Sequence, residues 1–323
     1  MANNTTTDRP YKGVYIAVET IIAALAVLGN ALVIGAVKRN RGLRNVTFCC
    51  LVSLAIADMA VGLVVIPLSI LVDSGLQTNF YSCLFMCCNL IIFTNASILS
   101  LLAIAIDRYL RIKIPTRYKT LTTKKNIWFC LLVCWLVSFV LGLVPMFGWN
   151  KKATEQANNS FIQCSFTTVM RMDYMVFFNF FGCVLLPLLL ISGLYLQIFY
   201  LLRKHLKQNR TSRSGGTFYG REYKTAKSLA LVLFLFALCW LPLSFTNSLL
   251  FFWPHICQGN AYISALYCSI LLSHAHSAMN PVVYAFRIQK FRETYKDIVC
   301  KRVFRRVGEP MSFSEENSLD PIS

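Results

Sequence analysis

The sequence predicts an all-α membrane protein with seven transmembrane helices, followed by an amphipathic helix on the inner membrane surface. Hydrophobic residues make up 56% of the 323 residues and charged residues only 14%, whereas roughly a quarter of the residues in a soluble protein are charged. The mean hydropathy is +0.55. Seven apolar runs reach the roughly 20 residues that a spanning helix needs. They cover residues 14–37, 48–71, 83–106, 127–147, 175–202, 228–253 and 263–286.

The apolar runs are continuous, and this excludes an outer-membrane β-barrel, whose strands alternate apolar and polar residues. We expect an extracellular N-terminus at 1–12, the bundle at 13–286, the surface helix at 287–300 and a cytoplasmic tail at 301–323. The acidic, serine-bearing sequence from Glu309 predicts that this tail is disordered.

The basic residues predict the orientation of the chain. Of the 32 Lys and Arg residues, 27 lie after spans one, three, five and seven. The positive-inside rule therefore puts the N-terminus outside and the C-terminus inside a plasma membrane. The net charge of +18 marks a cytoplasmic face and not a nucleic-acid surface.

The third span has a cysteine thiol at one end and an acid–base pair beside an aromatic residue at the other. From Cys83 to Arg108 there are 25 residue steps, so a helix here rises about 37 Å and crosses a bilayer. Leu90, Thr94 and Ser97 share one face of it. Taken alone, the cysteine could simply be buried and the acid–base pair could simply lie on the surface, with no functional role for either. Together the features indicate a helix that reports from one side of a membrane to the other.

Spans one and two carry acids that are costly inside a membrane. Glu19 either faces a partner within the bundle or reaches the outer interface. Asp58 is either a protonated structural acid or part of an ion or water site shared with span three. Pro67 is expected to kink span two.

Three cysteines are expected on the oxidising side: Cys83, Cys164 and Cys257. A Cys83–Cys164 bridge would tie the loop of residues 150–171 over span three, but Cys257 competes for either partner. Asn3, Asn4 and Asn158 are candidate glycosylation sites on the same side.

Span six contains a predicted hinge. Pro242 lies deep in the apolar run and bends the helix, so Trp240 would lie at the bottom of a cavity opened above the bend. Glu222 lies near the inner end, where it is able to pair with Arg108. The preceding segment, residues 203–227, is expected to be a basic loop with a flexible centre at 212–216 that meets a cytosolic partner.

Span seven holds His274, His276 and the run Asn280 to Tyr284. Apolar and basic residues then alternate, which predicts an amphipathic helix on the membrane lipid. Cys300 is a candidate palmitoylation site.

One motif per helix, in a fixed order, resembles the rhodopsin-like G-protein-coupled receptors over residues 12–300. The residues that carry this likeness are Asn30, Asp58, Cys83, Asp107-Arg108-Tyr109, Trp135, Pro187, Cys239-Trp240-Leu241-Pro242 and Asn280-Pro281-Val282-Val283-Tyr284. Within that family the chain is similar to the adenosine receptors. That likeness is carried by residues 53–58, 101–111, 145–150, 218–222 and 225–229. Ser244 points to their third subtype, while Asn95 and Asn179 depart from it.

The resemblance implies an adenosine site. Phe166 would stack on the adenine ring, and Asn247 would hydrogen-bond its exocyclic amine and N7. Thr94, Ser273 and His274 would hold the ribose, with Glu19 pairing His274. The other residues expected at the ligand are Leu90, Met175, Trp240, Leu243, Ser244 and Ile270.

The resemblance also implies two sites away from the ligand. An ion or water site would involve Asp58, Ser97, Asn280 and His276, where the family usually has asparagine in place of His276; we therefore expect weak or absent sodium inhibition. A G-protein switch would involve Asp107, Arg108, Tyr109, Glu222, Tyr195 and Tyr284.

The function so implied is a non-enzymatic receptor without a cofactor, coupled to a heterotrimeric G protein of the inhibitory class, with arrestin and receptor kinase as further partners of the tail. A receptor for another small uncharged ligand is one alternative. An ion or proton transporter that uses Asp58, Glu19 and the histidines is another, although internal repeats and paired broken helices are missing from the sequence. No metal-ligand spacing or nucleophile–base set is apparent that would indicate an enzyme.

Overall fold

Long helices build the fold. The computed structural model describes residues 8–40, 46–153, 161–208, 213–287 and 291–297. The elements in chain order are α1 (Asp8–Arg39), α2 (Val46–Ala60), a π-helical turn (Val61–Val65), α3 (Ile66–Asp73), β1 (Gln77–Thr78), α4 (Phe80–Lys113), α5 (Pro115–Leu121), α6 (Lys124–Leu143), two 3₁₀ turns (Val144–Phe147 and Lys151–Ala153), β2 (Ile162–Gln163), α7 (Phe166–Val169), a π-helical segment (Tyr174–Leu185), α8 (Leu186–Gln208), α9 (Arg213–Phe252) and α10 (Asn260–Arg287). Residues 291–297 form α11.

All seven predicted spans are helical. Among the described residues, six helical stretches are long and apolar enough to cross a membrane: Lys12–Arg39, Val46–Asp73, Phe80–Lys113, Lys125–Phe147, Tyr174–Gln208 and Phe218–Phe252. The seventh, α10, has 28 residues and carries two histidines and two asparagines that lower its apolarity. It packs between α1 and α9 and thereby closes the bundle.

Two prolines follow π-helical backbone. The turn Val61–Val65 ends two residues before Pro67, and the segment Tyr174–Leu185 ends two residues before Pro187. A proline has no N–H and crowds the preceding turn, so the helical ladder loosens just before it. Pro242 and Pro281, by contrast, lie inside the continuous helices α9 and α10.

The loop expected at residues 203–227 is largely helical, so that prediction was wrong. Helix α8 runs to Gln208, and α9 begins at Arg213, within the stretch expected to be its flexible centre. Arg, Lys, Glu and Ala favour helix in this segment. The rings of His205 and Tyr219 stack 4.7 Å apart and join the two extensions.

A short sheet and a disulfide lie at one end of the bundle. Strand β1 pairs antiparallel with β2, with Gln77 opposite Gln163. The disulfide joins Cys83, near the start of α4, to Cys164, just after β2, and so resolves the open pairing. Cys257 is a free thiol. We call this the disulfide end, and the opposite one the Arg108 end.

Helix α11 returns to the bundle at the Arg108 end. Phe291 is buried against Tyr284 and Phe48, with ring centroids 5.8 and 5.7 Å apart. Asn40 donates a hydrogen bond of 3.0 Å to the Thr294 hydroxyl. Part of the predicted amphipathic helix is therefore present. Its other residues, and Asn3, Asn4, Asn158, Cys300 and the tail, lie outside the described residues.

Candidate ligand-binding site

A cavity of about 590 Å³ opens between the helices towards the disulfide end. This volume is in the range that holds a small organic ligand. Ten of the twelve residues expected at the ligand line it: Leu90, Thr94, Phe166, Met175, Trp240, Leu243, Ser244, Asn247, Ile270 and His274. Whether they contact a ligand stays a prediction.

The backbone segment that carries Phe166 is held in place at the cavity by its neighbours in the chain. Phe166 is the first residue of α7 and follows Cys164 by two positions. The Cys164 N–H donates to Leu76 O at 2.9 Å, which extends the pairing of β1 with β2. Ser165 caps α7 through a reciprocal pair of hydrogen bonds with Thr168. The ring is therefore held by a disulfide, a strand pair and a helix cap.

Asn247 lies on α9 seven residues after Trp240, about two turns nearer the disulfide end. Helix spacing puts Trp240, Leu243, Ser244 and Asn247 on one face, and all four line the cavity. None of the described residues hydrogen-bonds the Asn247 side chain. Its amide is thus free to donate and to accept, which suits a planar group with both functions on one edge.

His274 has one ring nitrogen in use and one without a partner. Its Nδ1 lies 2.8 and 2.9 Å from the carboxylate oxygens of Glu19. Nε2 is buried and has no hydrogen-bond partner among the described residues. Since a buried polar atom without a partner costs about 1–3 kcal/mol and His274 lines the cavity, a ligand hydroxyl at Nε2 would remove that penalty.

Glu19 and Ser273 do not line the cavity. Glu19 is fully buried and contacts Nδ1 of His274, which itself lines the cavity. The Ser273 hydroxyl is buried and donates to Ile270 O at 2.7 Å. The Thr94 hydroxyl likewise donates to Leu90 O at 2.7 Å, but Thr94 faces the cavity and its oxygen still has a lone pair to offer.

The group around Asp58 lies deeper in the bundle. The Asp58 carboxylate accepts a hydrogen bond of 2.7 Å from the Asn280 amide and one of 3.4 Å from the Ser97 hydroxyl. His276 is buried with its ring edge-on to Phe236, 5.0 Å between centroids, and its Nε2 has no partner among the described residues. A neutral imidazole is a poor ligand for a hard cation, and a protonated one repels it. These residues therefore fit sodium poorly.

The Arg108 end holds an ion-pair group. Arg108 and Arg111 contact the two carboxylate oxygens of Glu222 at 2.8 and 3.0 Å. Sequence reasoning predicted the pair with Arg108 and missed Arg111. The group joins α4 to α9.

Asp107 turns away from Arg108 and is held by two hydroxyls. Thr47 donates to it at 2.5 Å and Tyr118 at 2.8 Å. Burial and the Asp107 charge raise the pKa of Tyr118 to about 12, so its hydroxyl remains a donor.

The remaining switch tyrosines occupy different surroundings. Tyr195 and Tyr284 are buried in the bundle, and the Tyr284 hydroxyl has no partner among the described residues. Tyr109 is only partly buried and accepts a hydrogen bond of 2.6 Å from Lys113.

Sequence reasoning missed part of the cavity wall. Four of the lining residues that it missed are Tyr15, Ser69, Asp73 and Tyr267. Helix spacing would have found two of them, because Tyr15 precedes Glu19 by four residues and Tyr267 precedes His274 by seven.

Comparison with known proteins is consistent with this architecture. Residues 29–284 match the family described as 7 transmembrane receptor (rhodopsin family). The chain is 53% identical to the adenosine receptor A3 of Ovis aries over 308 residues, which is 95% of this chain and 96% of that protein. It is 55% identical to the adenosine receptor A3 of Canis lupus familiaris over 284 residues, 87% of this chain and 89% of that one. The adenosine receptor A3 of Bos taurus is 53% identical over 308 residues, 95% and 96% of the two chains.

Proposed function

Since this chain belongs to the rhodopsin family of seven-transmembrane receptors and, within it, to the adenosine receptors, we propose that it is a plasma-membrane receptor for extracellular adenosine. On binding the nucleoside it activates a heterotrimeric G protein. We assign it to the inhibitory class, which lowers adenylyl cyclase activity. Its N-terminus is extracellular, in keeping with the 27 basic residues that flank the other face.

The observation that carries the proposal is a set of polar groups without hydrogen-bond partners on residues that line the cavity. The Asn247 amide and His274 Nε2 have no partners among the described residues, and Phe166 offers a flat ring in the same cavity. An adenine has a flat face and a donor–acceptor edge, and a ribose has hydroxyls. In a purine nucleoside the adenine face can stack on Phe166, the adenine edge can hydrogen-bond Asn247, and a ribose hydroxyl can hydrogen-bond His274 Nε2.

In the proposed mechanism, helix α9 connects the ligand cavity to the Arg108 end of the bundle. Helix α9 carries Asn247 beside the cavity and Glu222 at the Arg108 end, with Trp240 and Pro242 between them. Proline removes one backbone hydrogen bond and allows the helix to pivot there. Agonist contacts favour a state in which the Arg108 end of α9 leaves α4, breaks the pair with Glu222 and opens a cleft for the G protein.

Adenosine shifts this equilibrium only by its difference in affinity for the two states. The coupling is reciprocal, so a bound G protein raises agonist affinity by the same factor by which agonist favours G-protein binding. We further assign glycans to Asn3, Asn4 and Asn158, a palmitoyl group to Cys300, and arrestin and receptor kinase to the tail.

Binding of a radiolabelled adenosine analogue to membranes, with and without a guanine nucleotide, tests the proposal. We expect saturable binding that the nucleotide weakens, because it releases the G protein. Absence of saturable binding would refute the adenosine assignment. Cyclic AMP in stimulated cells tests the G-protein class separately: we expect adenosine to lower it, and a rise would exclude the inhibitory class.

A further inference from the structure

The proposed adenosine contacts leave one arm of the cavity unused. Towards the disulfide end the wall of this arm includes Tyr15, Ser69, Asp73 and Tyr267. The Tyr267 hydroxyl donates to the Asp73 carboxylate at 2.8 Å. The rings of Tyr15 and Tyr267 are tilted against each other with centroids 4.9 Å apart. We call these four residues the Asp73 arm.

Among the described residues that line the cavity, Asp73 is the only Asp, Glu, Lys or Arg. It is also the last residue of α3, where the partial negative charge at a helix C-terminus adds to that of the carboxylate. One carboxylate oxygen accepts from Tyr267, which leaves further acceptor positions open. Asp73 therefore places a negative charge in the wall at this end of the cavity.

No protein cation neutralises that charge in the described part of the chain. Lys151 donates to Thr167 O at 2.7 Å, and the Lys152 ammonium lies 4.2 Å from the centre of the Tyr81 ring. Arg171 is paired with Asp173 at 2.6 Å. Lys12 is exposed, and no ion pair joins it to Asp73.

We propose that the Asp73 arm is a second subsite, selective for a cationic group carried by a ligand whose aromatic ring lies between Phe166 and Asn247. A primary ammonium at Asp73 forms a charge-assisted hydrogen bond. The faces of Tyr15 and Tyr267 are able to add cation–π attraction. With the ribose directed towards His274, a chain on the adenine ring is the part that points to this arm.

This inference rests on the proposed function. Its test therefore compares the ratio of the affinities of two adenosine derivatives, which is independent of how tightly adenosine itself binds. The probes are adenosine with a short aminoalkyl chain on the adenine ring and its hydroxyalkyl analogue of equal length. In the unaltered receptor we expect the ammonium probe to bind about fivefold more tightly than the hydroxyl probe. This ratio should fall towards one in Asp73→Asn, which keeps an acceptor for Tyr267, and below one in Asp73→Lys.

Ionic strength provides a second measurement that needs no variant. The advantage of the ammonium probe should shrink as salt is raised, because Asp73 is only partly buried and charge attraction there is screened. Equal ratios in the unaltered receptor and in Asp73→Asn, with adenosine still bound, would overturn the subsite and leave the proposed function standing. Failure of adenosine and of both probes to bind the unaltered receptor would instead overturn the proposed function.

Discussion

Arg108 of α4 and Glu222 of α9 are joined by an ion pair of 2.8 Å whose side chains are each only 6% exposed. Glu222 also forms an ion pair with Arg111 at 3.0 Å, and the Arg111 side chain is 26% exposed. A buried charge is tolerated when it is paired, so Glu222 stabilises the arrangement in which the Arg108 ends of α4 and α9 touch. The pair therefore favours the closed state of the bundle.

Glu222→Gln removes the charge and keeps the shape of the side chain. If the pair favours the closed state by about 1 kcal/mol, its loss raises the open population about fivefold. We expect a rise of that order in agonist-free binding of a labelled GTP analogue to membranes. Arg111→Ala is the matched comparison, since it removes the more exposed partner and should raise basal activity less. Unchanged basal activity in Glu222→Gln would show that the pair does not hold the closed state.

Asn247→Ala tests the anchor for the adenine edge. Two hydrogen bonds of about 1 kcal/mol each are lost, so adenosine affinity should fall about 30-fold. Competition against a labelled antagonist that keeps some affinity for the variant gives the value. Ser248→Ala is the control, because the Ser248 hydroxyl donates to Ser244 O at 2.8 Å and Ser248 does not line the cavity. Equal affinities in both variants would remove Asn247 from the site.

Glu19→Gln tests the support of His274 rather than a direct ligand contact. The carboxylate holds Nδ1 and so leaves Nε2, which has no partner among the described residues, for a ligand. We expect adenosine to bind about tenfold more weakly, on the scale of one charge-assisted hydrogen bond. A heteroaromatic antagonist that lacks a ribose should lose much less. Equal losses for both ligands would indicate a general structural role for Glu19.

The disulfide is expected to matter through Phe166. Cys164→Ser releases the segment that carries this ring, and ordering one such side chain on binding costs about 0.5–1.5 kcal/mol. Adenosine affinity should therefore fall about 3- to 10-fold or more in receptors that reach the cell surface. Cys257→Ser alters a free thiol at the same end of the bundle and should bind normally. If the two variants behave alike, the bridge does not position Phe166.

The sequence predicted the helices well because each span is a continuous apolar run. The pair of Glu19 with His274, which lie on different helices, was expected only from the resemblance to the adenosine receptors. Sequence reasoning failed where partners come from unrelated segments. The Asp73 carboxylate is held by Tyr267, 194 residues away, and no local pattern reveals that neighbour. The disulfide pairing was open for the same reason. The helical extensions of α8 and α9 were missed because polar residues near Gly215 and Gly216 are as typical of loops as of exposed helix ends.

His276 gives the last prediction, which concerns sodium. The Asp58 carboxylate already accepts from Asn280 and Ser97, and an imidazole occupies the neighbouring position against Phe236. We therefore expect agonist affinity to be the same in sodium chloride and in potassium chloride at equal ionic strength, which keeps charge screening constant. His276→Asn replaces the ring with a smaller oxygen donor, and sodium should then lower agonist affinity about fivefold or more, the usual scale of coupling between two sites. Adding Asp58→Asn to that variant should abolish the effect. A sodium effect in the unaltered receptor that disappears in Asp58→Asn would mean that the imidazole does not block the site.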